Sequence, residues 1–491
     1  MLPFLLNGRA RGLLFPFAAE IEQQAAGKGQ TMQILLIAPA SGRWHGIGKR
    51  RMFNGRTFRF SLLSLLTVAA ETPEYATVRI VDEQLDEVPF DADVDLVGIT
   101  CMTALAPRAY RIASRFRERG VPVVLGGMHP TFCTSEALSH ADAVVCGDAE
   151  GVWGDVVRDA AAGRLAGIYR RPLGNLCGLR RPPRQLLDSS RYATVHAIQA
   201  TRGCPHGCDF CAISAFSGAR QLQRPVADVA AEVSEIPARF LIFVDDNLMA
   251  DRSYADALFA ALRPLGKRWV TQSSLSVAED PDFVSRAAAA GCIGVFVGME
   301  TFSEANLAGC NKTMNTVEGY RDAVNTFHAA GIGVETGIVF GFDGDGPEVF
   351  RSTLRHLEAL QVDALQASIL TPLPGTPLHT QFGDRILDRD WSHYDFHHAV
   401  FQPSGMTRSE LQDGHDWITR EFYRPWRIAR RLARHALRPH GVATTAYSAA
   451  LNLAYLARVR CWGIRGRDPS APRSVRAGEA ETSPAGVLAR L

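Results

Sequence analysis

The chain has 491 residues, 46% of them hydrophobic, with 53 basic and 51 acidic side chains and ten cysteines. That length exceeds what one hydrophobic core serves, so more than one domain is expected. The net charge of +2 gives no electrostatic case for nucleic acid. Cysteines scattered through so long a chain point to a reducing cytoplasm rather than a disulfide scaffold.

Residues 1–31 read as a poorly specified extension in which Arg9 and Arg11 interrupt any signal-peptide core. Met32 opens a clean strand and is a candidate natural start. From 32 to 168, the runs QILLIA (33–38), TVRIV (77–81), DLVGIT (95–100), VPVVLGG (121–127) and DAVVCGD (142–148) alternate with helical segments such as APRAYRIASRFRERG. Unbroken β-branched runs mark strands covered on both faces, and the helices between them make the sheet parallel. A doubly wound open sheet of this kind binds ligands beyond its strands' carboxyl ends.

Residues 169–192, rich in Pro and Arg, read as a linker whose arginines form a solvated face. A second alternating series spans 193–404, with the runs VHAIQA, RFLIFV, RWVTQS, CIGVFVGME, IGVETGIVFG and DALQASIL. Six β-α repeats pack most naturally as a closed or partly closed barrel. Residues 405–466 form a basic helical region, and the Pro/Ser/Gly/Ala-rich tail, 467–491, is expected to be disordered. No window has the roughly 20 apolar residues of a membrane span. The nearest, 441–462, reads as a packed amphipathic helix, with docking at a lipid surface as the alternative.

Directly after the first barrel strand lies RGCPHGCDFC, with Cys204, Cys208 and Cys211 at Cys-x3-Cys-x2-Cys spacing. A structural zinc site takes four ligands, usually in two pairs, and no fourth Cys or His stands at a matching distance. Three thiolates on a [4Fe–4S] cube leave one iron free to chelate a small molecule and pass it an electron. A zinc knuckle or accidental clustering is the competing explanation. With Phe210 just before the third cysteine, the motif resembles that of the radical S-adenosylmethionine enzymes. The resemblance implies a cluster whose open iron holds S-adenosylmethionine, and reductive cleavage of that cofactor to a 5′-deoxyadenosyl radical. It also assigns S-adenosylmethionine contacts to Phe210 and to residues at strand ends: Asp245 and Asp246, Gln272 and Ser274, and Glu300. For each acid the alternative is a helix cap or a barrel salt bridge.

The first block resembles the cobalamin-binding domain fused to one subgroup of these enzymes, on VRIVDEQLDEVPFDADVDLVGIT, APRAYRIASRFRERGVPVVLGGMHPT and ADAVVCGDAEGVWGDVV. Together the two resemblances cover nearly all of 32–405. The fold expected is α/β: a Rossmann-like cobalamin-binding sheet, a partial (β/α)6 barrel, then C-terminal helices. Thr100, Thr103, Gly126, Gly127, Gly147 and Asp148 are the candidates for cradling cobalamin, since glycines allow close backbone approach. In RWHGIG, His45 stands where a cobalt ligand would, but Arg43 replaces the Asp that orients such an imidazole, so a surface-loop histidine competes. The activity implied is cobalamin-dependent methylation of an unactivated carbon in a lipid or natural product. A radical cyclase, oxidase or carbon–sulfur bond-forming enzyme of the same architecture is the alternative, and a non-catalytic iron–sulfur or zinc scaffold the alternative of another class. The implied partners are a small-molecule or lipid substrate and an electron donor such as flavodoxin or ferredoxin.

Overall fold

The computed structural model describes residues 31–40, 62–192, 196–436 and 442–465. The first block folds as a six-stranded, all-parallel sheet of β1 (Met32–Ala38), β2 (Ala76–Asp82), β3 (Leu96–Thr100), β4 (Val123–Gly126), β5 (Ala143–Val145) and β6 (Gly167–Tyr169). The order is β2-β1-β3-β4-β5-β6, so the chain reverses direction across the sheet between β1 and β3. Successive residues of β1 point to opposite faces, and both faces are covered. Leu35 and Ile37 pack with Ile99, Ala113 and Phe116, while Ile34 and Leu36 pack with Leu65 and Trp153. This double burial explains the unbroken apolar run. β6 is a strand beyond the five expected; Gly167 and Ile168 are exposed on this edge, so no buried pattern announced it. Its last residue, Tyr169, is the first of the stretch expected as a linker.

That stretch is more tightly held than a solvated bridge. Arg171 pairs with Asp155 at 2.9 Å, Arg184 with Glu232 at 2.5 Å and Arg191 with Asp86 at 2.9 Å. Buried Tyr192 donates its hydroxyl to Asp82 at 3.2 Å. The expectation of a solvated arginine face is thereby corrected at Arg184, whose side chain is 16% exposed, whereas Arg171 at 61% keeps it.

The second block is a parallel sheet of six strands, β7 (Ala197–Ile198), β10 (Phe240–Phe243), β11 (Arg268–Ser273), β12 (Cys292–Glu300), β13 (Gly333–Phe340) and β14 (Ala364–Ile369). They run in the order β14-β13-β12-β11-β10-β7 without pairing of β14 to β7, giving the partial barrel. A short antiparallel pair, β8 (Thr201–Arg202) with β9 (Leu222–Gln223), closes the base of the cysteine loop.

The helix Val442–Arg465 packs onto the barrel strands. Tyr447 lies against Gly294, where an added Cβ would come within 2.5 Å of its ring, and Tyr455 donates to the buried carboxylate of Glu335 at 2.6 Å. Burial pushes Glu335 up to about 7. Asn452, fully buried, donates to the Asp363 carbonyl at 2.9 Å. These contacts realise the packed-helix reading of this segment. No helix among the described residues is long and apolar enough to cross a membrane.

Candidate active site between the two domains

A cavity of about 830 Å³ lies between the carboxyl ends of the first sheet and those of the barrel. One wall carries Thr100, Gly126, Gly127, Gly147 and Asp148; the other carries Asp246 and Gln272, with Arg202 and Gly203 of the cysteine loop between them. Thr103 and Ser274 do not reach it. Thr103 is buried in a 3-10 turn, and Ser274 contacts Ser276 at 3.1 Å, ahead of another such turn.

The cysteine loop is shaped by contacts from four directions. Gly203 has φ +84°, and a Cβ there would lie 2.2 Å from the Arg220 carbonyl oxygen, so only glycine fits. Its N–H donates to Asp246 at 2.8 Å. The Asp209 N–H donates to the Cys310 carbonyl at 3.1 Å, and Asn311 Nδ2 to the Gly207 carbonyl at 2.7 Å. The Leu378 N–H donates to the Asp209 carbonyl at 3.0 Å. Phe210 packs edge-on to Phe342 with ring centres 6.3 Å apart, anchoring the residue before Cys211.

Asp245 and Asp246 are neighbours with different uses, as strand-end alternation dictates. Asp245 is fully buried; its carboxylate accepts from the Ala200 N–H at 3.0 Å, the Thr201 hydroxyl at 2.8 Å and the Thr201 N–H. Burial, outweighing these hydrogen bonds, pushes it up to about 7. The structure thus uses Asp245 to hold the turn that launches the loop, in place of the cofactor contact expected of it. Asp246 lines the cavity, and burial raises its pKa as well. Next to them, Asn247 donates Nδ2 to Cys204 Sγ at 3.8 Å, and its buried Oδ1 has no partner among the described residues.

Glu300 ends β12 with φ +67°, just past a register shift against β13. Its carboxylate meets Lys312 Nζ at 2.8 Å. It does not line the interdomain cavity; it faces the cysteine loop's rear, where its charge is felt by Cys208.

Cys204, Cys208 and Cys211 are free thiols. Burial pushes Cys208 up to about 12, opposed by the charge of Lys312. A single zinc bonded to thiolates at about 2.3 Å needs its sulfurs roughly 3.8 Å apart. Among the described residues, the trio whose ligand atoms all fall within 4.8 Å of one another is His129, Cys133 and Glu136, not the loop cysteines. The orphaned Asn247 acceptor beside Cys204 fits a site completed by a ligand. In the His129 trio, Glu136 and His129 Nε2 share hydrogen bonds with Tyr110 and Trp391, while buried His129 Nδ1 has no partner among the described residues. Tyr110 donates to Glu136 at 2.9 Å and Trp391 Nε1 to the same carboxylate at 3.0 Å, while His129 Nε2 lies 3.0 Å from the Tyr110 hydroxyl. These bonds dock the 390–405 segment onto the first domain, which makes that segment a packed strap.

The opposite wall suits a bulky ligand. Gly147, at φ +83°, has nothing within 4 Å of where a Cβ would stand, so its backbone is bare toward the cavity it lines. Gly127, at φ +104°, would place a Cβ 2.9 Å from the Cys101 carbonyl oxygen. Apolar Leu36, Leu65, Val145 and Trp153 complete the wall. Asp148, on the same wall, gives one carboxylate oxygen to Arg202 at 2.7 Å. His45, with Arg43 and Gly48, lies outside the described residues.

A bacteriochlorophyllide d C-12(1)-methyltransferase of Chlorobaculum tepidum is 30% identical over 387 residues, 75% of this chain and 84% of the relative. Residues 36–157 match the B12 binding domain and 198–357 the Radical SAM superfamily. The chain belongs to the cobalamin-binding radical S-adenosylmethionine enzymes. The fold of TsrM, a radical S-adenosylmethionine methyltransferase from Kitasatospora setae solved with cobalamin and a [4Fe–4S] cluster, aligns over 73% of this chain and 79% of that one. Its TM-score is 0.57 at 18% identity. An anaerobic magnesium-protoporphyrin IX monomethyl ester cyclase of Cereibacter sphaeroides is 24% identical over 70% of this chain and 63% of its own. Membership brings a [4Fe–4S] cluster, S-adenosylmethionine and cobalamin as cofactors.

Sequence reasoning missed three features of this radical enzyme's site. Arg202 joins the domains, reaching Asp148 and Glu150 at 2.7 Å each and Gln199 at 3.0 Å. Gly375, at φ +82°, lets the loop after β14 pack on Phe132 of the first domain, where a Cβ would stand 2.2 Å from the ring. Lys312 sits behind the cysteine loop in GCNKTMN, a turn with no motif to mark it. Only Arg202 had a signal, its place beside the cysteine motif.

Proposed function

We propose that this enzyme transfers a methyl group to an unactivated carbon of a large, mainly apolar substrate, with a tetrapyrrole such as a bacteriochlorophyllide as the first candidate. The observation that supports it is a cavity whose walls combine the first domain's glycines with Arg202 and Gly203 at the start of the cysteine loop, the three cysteines themselves lying outside its lining. Cys204, Cys208 and Cys211 would hold the cluster, and Thr100, Gly126, Gly127 and Gly147 would line the corrin's seat. When bound, these groups supply the electron that cleaves S-adenosylmethionine to a 5′-deoxyadenosyl radical, and the methyl carrier.

The chain's own residues orient and shield. Arg202 fixes the first domain's loop at 147–150 against the cysteine loop. Asp246 holds the Gly203 N–H while facing the cavity, and Gln272 offers an amide beside it. Asn247 presents its free acceptor beside Cys204, where the ammonium of S-adenosylmethionine is a fitting donor. The helix Val442–Arg465 and the Trp391 strap close the barrel and the domain seam against water. A flavodoxin- or ferredoxin-type protein would supply the electron.

The cyclase relative favours a second reading, radical ring formation on a similar substrate. Incubating the reconstituted enzyme with methyl-deuterated S-adenosylmethionine and candidate tetrapyrroles separates them. Methylation adds the labelled methyl to product, whereas cyclisation changes its mass without label. Product without label overturns the methyltransferase reading.

A further inference from the structure

The strongest unexplained arrangement lies behind the cysteine loop rather than in the cavity. Glu300 is a non-glycine residue held left-handed at φ +67°, a conformation that persists only where the surroundings enforce it. Here they do. β12 shifts register between Gly298 and Glu300; Asn315 Nδ2 caps the Gly298 carbonyl at 2.8 Å, and the Tyr320 hydroxyl caps that of Met299 at 2.7 Å. The bulge turns the Glu300 carboxylate to Lys312 Nζ at 2.8 Å, with the lysine side chain only 16% exposed.

Gly298 leaves the room for this pair. A Cβ there would stand 2.1 Å from Glu300 Oε1 and 3.1 Å from Lys312 Nζ. The turn bearing Lys312 is tied to the cysteine loop through Cys310 and Asn311, which bond to Asp209 and Gly207. Lys312 directly follows these two residues, and Glu300 holds its ammonium, so it is fixed behind the cysteine loop.

We propose that Lys312, aimed by Glu300, is a positioning residue whose cation sets how readily the cluster at Cys204, Cys208 and Cys211 accepts its electron. This rests on the iron–sulfur reading of that loop. The step concerned is the uptake of one electron by the oxidised cluster from an external flavin or iron–sulfur carrier protein, or from dithionite in vitro; no protein bond forms or breaks. A buried cation favours the more negative, reduced cluster, and a partnering carboxylate moderates it. A charge held behind such a loop in a protein interior alters the equilibrium on the order of tenfold. For one electron, tenfold corresponds to about 59 mV.

The test is a potentiometric titration of the reconstituted full-length protein followed by electron paramagnetic resonance. Lys312→Met is expected to make the cluster about tenfold harder to reduce, Lys312→Arg to restore it, and Glu300→Gln to make reduction easier. An unchanged potential in Lys312→Met with the cluster intact overturns the proposal. So does a Glu300→Gln shift in the same direction as Lys312→Met, which would report loop packing rather than charge. If Lys312→Met does not hold iron, the sign of the Glu300→Gln shift decides alone. Failure of the wild-type chain to assemble any cluster is a different result, and refutes the iron–sulfur reading itself.

Discussion

Replacing Arg202 with methionine removes a cation that holds two carboxylates across the domain seam. The Arg202 side chain is 17% exposed, that of Asp148 21% and that of Glu150 6%. Asp148 can be rehydrated, but Glu150 would be left buried and unpaired, which typically costs about 3–5 kcal/mol. Burial drives the Glu150 carboxyl up, yet the Arg202 charge and hydrogen bond outweigh it and leave it below its usual value. A depressed folded-state pKa gives stability that is present above the unfolded value and is lost as pH falls through the folded one. In the variant only the burial remains, so Glu150 takes up a proton at higher pH and escapes part of the penalty. Urea unfolding at pH 7.5 and at pH 5 should therefore show a deficit of about 3–5 kcal/mol at the higher pH and a clearly smaller one at the lower. A deficit below about 1 kcal/mol, or one equal at both pH values, would refute the view that this ion pair secures the seam.

Gly203→Ala forces a Cβ to within 2.2 Å of the Arg220 backbone, so the loop must rearrange; iron bound after anaerobic reconstitution should fall to a small fraction of wild type. Full iron loading would show that the loop's shape is not needed. Gly375→Ala combines a φ of +82° with a 2.2 Å clash on Phe132 and should loosen the domain seam, read as faster limited proteolysis within 169–192. Unaltered cleavage rates would count against that contact. Burial raises Glu335 to about 7, so its contribution to stability is present below the usual carboxylate range and is lost as pH rises through about 7. Glu335→Gln keeps an acceptor for the Tyr455 hydroxyl and should flatten that decline in a pH series of melting temperatures; an unchanged slope would place the titration elsewhere.

Both sheets were legible because their strands are covered on two faces, which forces unbroken β-branched runs. β6 was not, since an exposed edge imposes no such pattern. The cysteine loop was legible for a chemical reason: three thiols at fixed short spacing leave few uses. What the sequence concealed was the direction of single side chains. Asp245 and Asp246 look interchangeable in FVDDN, yet one turns beneath the loop and the other into the cavity. Glu300 stood out as a strand-end acid, but its partner Lys312 is 12 residues away in an unremarkable turn and meets it only once β12 bulges. Arg202 and Glu150 belong to different domains, and no local pattern can announce a contact made by their docking.

The most direct test of the central assignment is the release of 5′-deoxyadenosine from S-adenosylmethionine by the anaerobically reconstituted, reduced protein, measured together with its corrin content. Expected is steady 5′-deoxyadenosine formation by a chain that retains cobalamin, with Cys208→Ala abolishing formation while the corrin stays bound. Absence of 5′-deoxyadenosine from protein carrying an intact cluster, or undiminished formation by Cys208→Ala, would contradict it.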